Sequence, residues 1–106
     1  MDTTQLLKGV LDLAVLAALQ REDGYGYDIL RRLRAAGLEE VGDASVYGTL
    51  RRLFQGGLLT TYVVPSEEGP HRKYYRVSES GRVRLEESCR TWRTFAKTMD
   101  QLLTAS

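Results

Sequence analysis

Apolar residues occupy most sides of a helix drawn through LLKGVLDLAVLAAL at 6–19. Leu6, Leu7, Val10, Leu11, Ala14, Leu16, Ala17 and Leu19 leave few polar breaks. A helix that is apolar nearly all round has to be buried on several sides, so the element at 4–20 is expected at the centre of the domain or partly against another chain. REDGYGYD at 21–28 reads as a turn. A second helix follows over 26–36, with Ile29, Leu30 and Leu33 facing inward and Arg31, Arg32 and Arg34 toward solvent. Gly37 is its expected left-handed stop.

In DASVYGTLRRLFQGGLL at 43–59, Asp43 or Ser45 can cap a third helix. Val46, Leu50, Leu53 and Phe54 are expected to point to the core, and Gly56 and Gly57 end the helix. Its other side then carries Ser45, Gly48, Thr49, Arg51, Arg52 and Gln55, with Tyr47 at the edge. LLTTYVVP at 58–65 and RKYYRV at 72–77 are rich in β-branched and aromatic residues and predict two strands of a hairpin around a turn-rich tip. Ser78 is placed to cap a last helix over 79–103, with Glu79 in its first turn. Along that helix Leu85, Cys89, Trp92, Ala96, Met99 and Leu103 recur at alternating steps of four and three, widened by Phe95 and Leu102. Such a seam packs against another helix of similar length. No other element of the chain is long enough to cover it, so a homodimer is expected.

Composition narrows the chemistry. A chain of 106 residues fits one domain, and 42% hydrophobic with 27% charged residues is ordinary for a globular protein. The formal net charge of +1 does not announce a nucleic-acid binder, so local distribution has to carry that case. One cysteine and one histidine leave no disulfide framework and little material for a metal site. With no phosphate-cradling glycine loop or nucleophile elbow either, neither an enzyme nor a cofactor is expected. The apolar run at 6–19 is too short to span a membrane, carries Lys8 and Asp12, and lacks the flanks of a signal peptide. No membrane partner and a cytoplasmic location are expected.

Three helices followed by a hairpin is the order of a winged helix-turn-helix. The fold class expected is therefore mainly α with a small β-hairpin: a winged helix-turn-helix domain over 1–78 and a long C-terminal dimerisation helix over 79–106. In that arrangement the third helix enters the major groove of DNA and the hairpin lies along the neighbouring backbone. Small and hydroxylated residues let the helix approach base edges, while arginines bond guanine or phosphate. His71, Arg72, Lys73 and Arg76 add a basic cluster to the wing, with Tyr74 and Tyr75 interleaved, whereas Glu67 and Glu68 at its tip oppose contact with DNA. Tyr74 and Tyr75 point to opposite sheet faces, so one belongs to the core and only one can approach DNA.

LLKGVLDLAVLAAL, GYGYDILRRLR at 24–34, SVYGTLRRLFQGGLL at 45–59 and GPHRKYYRVSESGR at 69–82 run, in that order, over nearly the whole chain. In this the sequence resembles the PadR-type transcriptional regulators, in their short form with a single C-terminal helix. Gly48 stands where that family often has proline, and Phe54 replaces a common acidic residue, read here as extra apolar packing. The resemblance implies a dimeric repressor released by a small molecule. It implies Ser45, Tyr47, Thr49, Arg51 and Arg52 as helix contacts to double-stranded DNA, and Arg72, Lys73 and Tyr74 as wing contacts. Two-fold symmetry then implies a near-palindromic operator, with half-sites about 34 Å apart or a multiple of that. Leu6, Leu7, Leu85, Cys89, Trp92, Phe95, Met99 and Leu103 are the dimerisation residues expected.

In some short-form members an aromatic residue on the seam faces its symmetry mate across a pore. By that resemblance Trp92 is a platform for a planar aromatic effector, with Val15, Leu16, Cys89, Ala96 and Met99 lining the pocket. The plainer reading makes Trp92 seam packing only. Glu67, Glu68 and the near-neutral charge also leave open a winged-helix adaptor that binds protein and no DNA.

Overall fold

The computed structural model describes residues 2–104, so Met1 and the last two residues of the expected 79–106 unit lie outside the described residues. The elements are α1 (Thr3–Arg21), β1 (Gly24–Tyr25), α2 (Gly26–Ala35), α3 (Asp43–Gln55), β2 (Leu59–Val64), β3 (Arg72–Val77) and α4 (Glu79–Thr104). The chain is mainly helical, and its strands form one antiparallel sheet of order β1-β3-β2. The expected hairpin is present. The expected turn at 21–28, however, contains a third strand, with Gly24 opposite Tyr75 and Tyr25 opposite Tyr74. Two residues are too few to show a period of two in the sequence.

Leu7, Leu11, Val15, Leu16 and Leu19 of α1 are buried among Ile29, Leu30, Leu33, Val46, Leu50, Leu53, Leu59 and Leu85. The all-round apolar first helix is thus the axis of the core, as its pattern predicts. Both following helices end in the same device. Gly37 (φ +121°) and Gly57 (φ +77°) take the left-handed conformation. The amide of the next residue reaches back in each case, Leu38 to the Leu33 carbonyl at 3.0 Å and Leu58 to the Leu53 carbonyl at 2.9 Å. Glycine suits these two positions because a Cβ is strained there.

The start of α3 differs from expectation. Its N-cap is Gly42, with no side-chain cap, and Asp43 is its first helical residue. Arg32 also departs from the solvent role expected for it. Its guanidinium donates to the carbonyls of Ala18, Glu22 and Asp23 and to Asp28 Oδ2 at 2.6 Å. It thereby ties the end of α1 and the start of β1 to α2.

Ser78 caps α4 as its position predicts, accepting from the Gly81 amide at 3.0 Å and donating to the Gly57 carbonyl at 2.6 Å. Gly81 itself packs against backbone. A Cβ there would stand 2.1 Å from the Leu58 carbonyl oxygen and 2.9 Å from Val77 Cγ1. Gly81→Ala is expected to destabilise the fold by about 1–3 kcal/mol despite the better helix propensity of alanine. A lowered denaturant midpoint at unchanged slope checks this; an unchanged midpoint refutes the close approach.

Packing splits the α4 seam in two. Leu85 is buried, and Cys89 packs against the same core. Beyond them Trp92, Phe95 and Met99 are only partly covered, facing α1 across an open groove, and Leu102 (66% exposed) and Leu103 (69% exposed) project into solvent. Leu7 and Leu85, expected at a dimer interface, are buried within their own domain, and Cys89 leans onto that core. Among the described residues no helix is long and apolar enough to cross a membrane.

Candidate nucleic-acid interface

Helix α3 buries Val46, Thr49, Leu50 and Leu53 and turns Ser45, Tyr47, Arg51, Arg52 and Phe54 outward. Two expectations change places here. Thr49 is only 3% exposed and cannot meet DNA from this position, whereas Phe54 is 45% exposed. At 100° per residue, Thr49 and Phe54 lie on opposite flanks of the Val46, Leu50 and Leu53 stripe, each about 70° from its middle. The neighbouring elements, and not the stripe, decide which flank is covered. Phe54 is four residues from Leu50, a spacing that fits the stripe, yet its flank is the one that faces solvent.

Tyr47 lies over the first residue of α2. A Cβ on Gly26 would stand 2.2 Å from its Cε1 atom, so the absence of a side chain at Gly26 makes room for the ring. The two arginines of α3 differ sharply. Arg52 is paired with Asp12 of α1. Arg51 is exposed and makes no ion pair among the described residues.

On the wing, Arg72, Tyr74 and Arg76 share the outer face of β3, and Lys73 and Tyr75 the inner one. Tyr75 packs against the core, which settles which of the two tyrosines is the inner one. Tyr74 sits in a row across the sheet, 5.6 Å between ring centroids from Tyr25 on one side and 5.6 Å from Tyr62 on the other. The guanidinium of Arg72 lies 4.5 Å from the Tyr25 centroid, and that of Arg76 lies 5.3 Å from Tyr62. Arg76 also donates to Asp23 Oδ2 at 3.2 Å, and the Tyr62 hydroxyl donates to the same oxygen at 2.7 Å. That hydrogen bond, with a smaller part from the carboxylate charge, raises the Tyr62 pKa above its ordinary value. Arg72 and Lys73 form no ion pair among the described residues. Nor do the described residues include a group of three or more His, Cys, Asp or Glu able to hold a metal ion.

A groove of about 1040 Å³ runs between α1, the end of α3 and α4. Leu6, Leu13, Leu16, Trp92, Phe95, Ala96 and Met99 line it, and Asp12 and Arg52 form part of its wall. Of the expected pocket residues, Leu16, Trp92 and Ala96 are brought together there, with Met99 beside them. Val15 is not: it is fully buried in the core, and Cys89 turns to the core rather than the groove.

A three-helix core that carries an exposed arginine-bearing helix beside a basic, three-stranded wing defines a winged helix-turn-helix DNA-binding protein. Residues 15–87 match the Transcriptional regulator PadR-like family, and the chain belongs to it. A PadR-like transcriptional regulator from Bacillus cereus is 34% identical, with a TM-score of 0.86 over 95% of this chain and 98% of that one. A PadR family transcriptional regulator from Eggerthella lenta is 30% identical, with a TM-score of 0.85 over 96% and 88% of the two chains. A Streptococcus transcriptional regulator, also 30% identical, has a TM-score of 0.84 over 95% and 99%. The chain is a transcriptional regulator acting through DNA binding, and not an enzyme.

Proposed function

We propose that this protein is a homodimeric, cytoplasmic repressor that holds a near-palindromic operator and releases it when a planar aromatic effector binds. The observation that carries the DNA-reading part is the placement of Arg51, Arg72 and Lys73, exposed and free of carboxylate partners among the described residues. Free cations exchange counterions for DNA phosphates without first breaking an ion pair. Ser45, Tyr47, Arg51 and, once it leaves Asp12, Arg52 are the helix contacts of this reading. Arg72, Lys73 and Tyr74 serve the wing. Residues 1–78 read DNA, and the helix of 79–106 joins two copies.

The dimer reading is supported by the exposed half of the seam. Trp92, Phe95, Met99 and Leu103 continue an apolar stripe that the domain leaves at least a third exposed, and Leu6 of α1, also exposed, adds to the same side. The effector reading is supported by Trp92 at the wall of the groove, its ring centroid 6.4 Å from that of Phe95.

Selection of duplexes from a random pool on the purified protein, followed by anisotropy titration at low and physiological salt, tests the DNA reading. A symmetric sequence whose preference persists at the higher salt is the expected result. Equal loss of binding on all duplexes would leave nonspecific charge alone and favour the adaptor. Trp92 is the single tryptophan, so its emission reports the groove directly. A planar cationic dye is expected to quench it and to lower operator affinity, and Trp92→Ala to keep the dimer while losing the dye. Dye binding unchanged in that variant would reduce Trp92 to seam packing.

A further inference from the structure

Both arginines on the outer face of the wing lie over a tyrosine ring, but only Arg76 is also held by a carboxylate. Arg76 spends its Nε–H on Asp23, which is also the acceptor of the Tyr62 hydroxyl. Arg72 has no carboxylate among the described residues and lies with its guanidinium 4.5 Å from the Tyr25 ring centroid. A cation held over an aromatic face is attracted by the ring quadrupole. When the face of a guanidinium is occupied this way, its in-plane N–H donors stay available for a bidentate bond to phosphate. A free arginine side chain loses substantial rotamer freedom when it is fixed on a ligand, and a side chain already stacked loses less.

We propose that Tyr25 is a positioning residue for DNA binding: its ring holds Arg72 at the wing in the orientation that meets a backbone phosphate. This rests on the reading of Arg72 as a DNA contact. Tyr25 suits the role because of where it stands. It is the last residue of β1, paired with Tyr74, and the N-cap of α2. The next residue, Gly26, is the one over which Tyr47 of α3 lies. The seat of the wing arginine and the seat of the reading helix are thus adjacent in the chain, which fixes the spacing of the two contacts along the duplex. Asp23, two residues earlier, holds Arg76 by an ion pair, so Arg72 is the outer-face arginine without a carboxylate partner among the described residues.

The test is a double-mutant cycle on the duplex obtained by selection. Tyr25→Leu is expected to weaken binding about fivefold and Tyr25→Phe to leave it near the parent value, since phenylalanine keeps the ring face. In an Arg72→Ala background Tyr25→Leu should cost nothing further. Arg72→Lys, which leaves Tyr25 untouched, should lose affinity like Tyr25→Leu, because an ammonium keeps the charge without the planar stack. If Tyr25→Leu is poorly folded, Tyr25→Ile and Tyr25→Met, which also remove the ring face, take its place in the cycle. Equal losses from Tyr25→Leu with and without Arg72, or full affinity in Arg72→Lys, would overturn the positioning role. An Arg72→Ala variant that binds like the parent would remove Arg72 from the interface altogether, and the proposal with it. DNA binding through α3 would stand in that case.

Discussion

Phe95→Glu combined with Met99→Glu is expected to convert the protein to monomers and to lower operator affinity by about 10²–10⁴-fold. Both side chains are exposed on the outer half of the α4 seam and lie outside the buried core, so the charges leave the core packing of the domain intact. In a dimer each glutamate would be buried against apolar residues of the other copy, and an unpaired carboxylate there costs several kcal/mol. The loss on DNA follows from linkage of the two reading heads. Once one half-site is held, the second binds as if at about millimolar local concentration, and separating the subunits forfeits that gain. Sedimentation velocity reads the first effect and anisotropy the second. A double variant that still sediments as a dimer would show that α4 does not form the interface. A monomer that keeps full affinity would mean that one copy suffices on DNA.

The second large effect is expected at α3. Arg51→Ala should weaken operator binding by about 1–3 kcal/mol at each half-site and relax the preference at one base position. Arg52→Ala should cost less, because its guanidinium has first to leave Asp12. Their side chains are 61% and 51% exposed, a setting in which an ion pair contributes about 0–1 kcal/mol. DNA can therefore take Arg52 away, but the net gain is reduced by what the pair was worth. Asp12→Ala should accordingly leave affinity unchanged or raise it. If Arg52→Ala costs more than Arg51→Ala, or Asp12→Ala weakens binding, the order of the two arginines is reversed.

Much of this interface can be read from residue pattern. The stripe Val46, Leu50 and Leu53 orients α3, and the glycines after it require the turn that launches β2. Strand alternation places Tyr74 and Tyr75 of RKYYRV on opposite faces, but with like residues paired the types do not tell which face is inner. What pattern misjudges lies at the edges. Thr49 is polar yet buried, and Phe54 is apolar yet exposed, since residues on the two flanks of a helix stripe are covered or not according to what packs beside them. Tyr25 escaped notice as part of the wing because β1 is two residues long. Arg32 and Arg52 both looked solvated, for an arginine stem reaches far enough that its partner is set by what the fold brings near.

By itself the sequence determined the order of the four helices and the hairpin, the buried axis of α1, the two glycine stops, the Ser78 cap and the family motifs. Each of these depends on residues close together in the chain, where helical or strand periodicity and backbone stereochemistry decide. Only the tertiary structure decided that Leu7, Leu85 and Cys89 pack at home while Trp92, Phe95 and Met99 remain exposed. It alone paired Arg52 with Asp12, seated Arg72 on Tyr25 and cleared space over Gly26 for Tyr47. Those outcomes depend on how α1 and α4 diverge around the groove and on how far separate segments approach one another, distances that no local pattern contains.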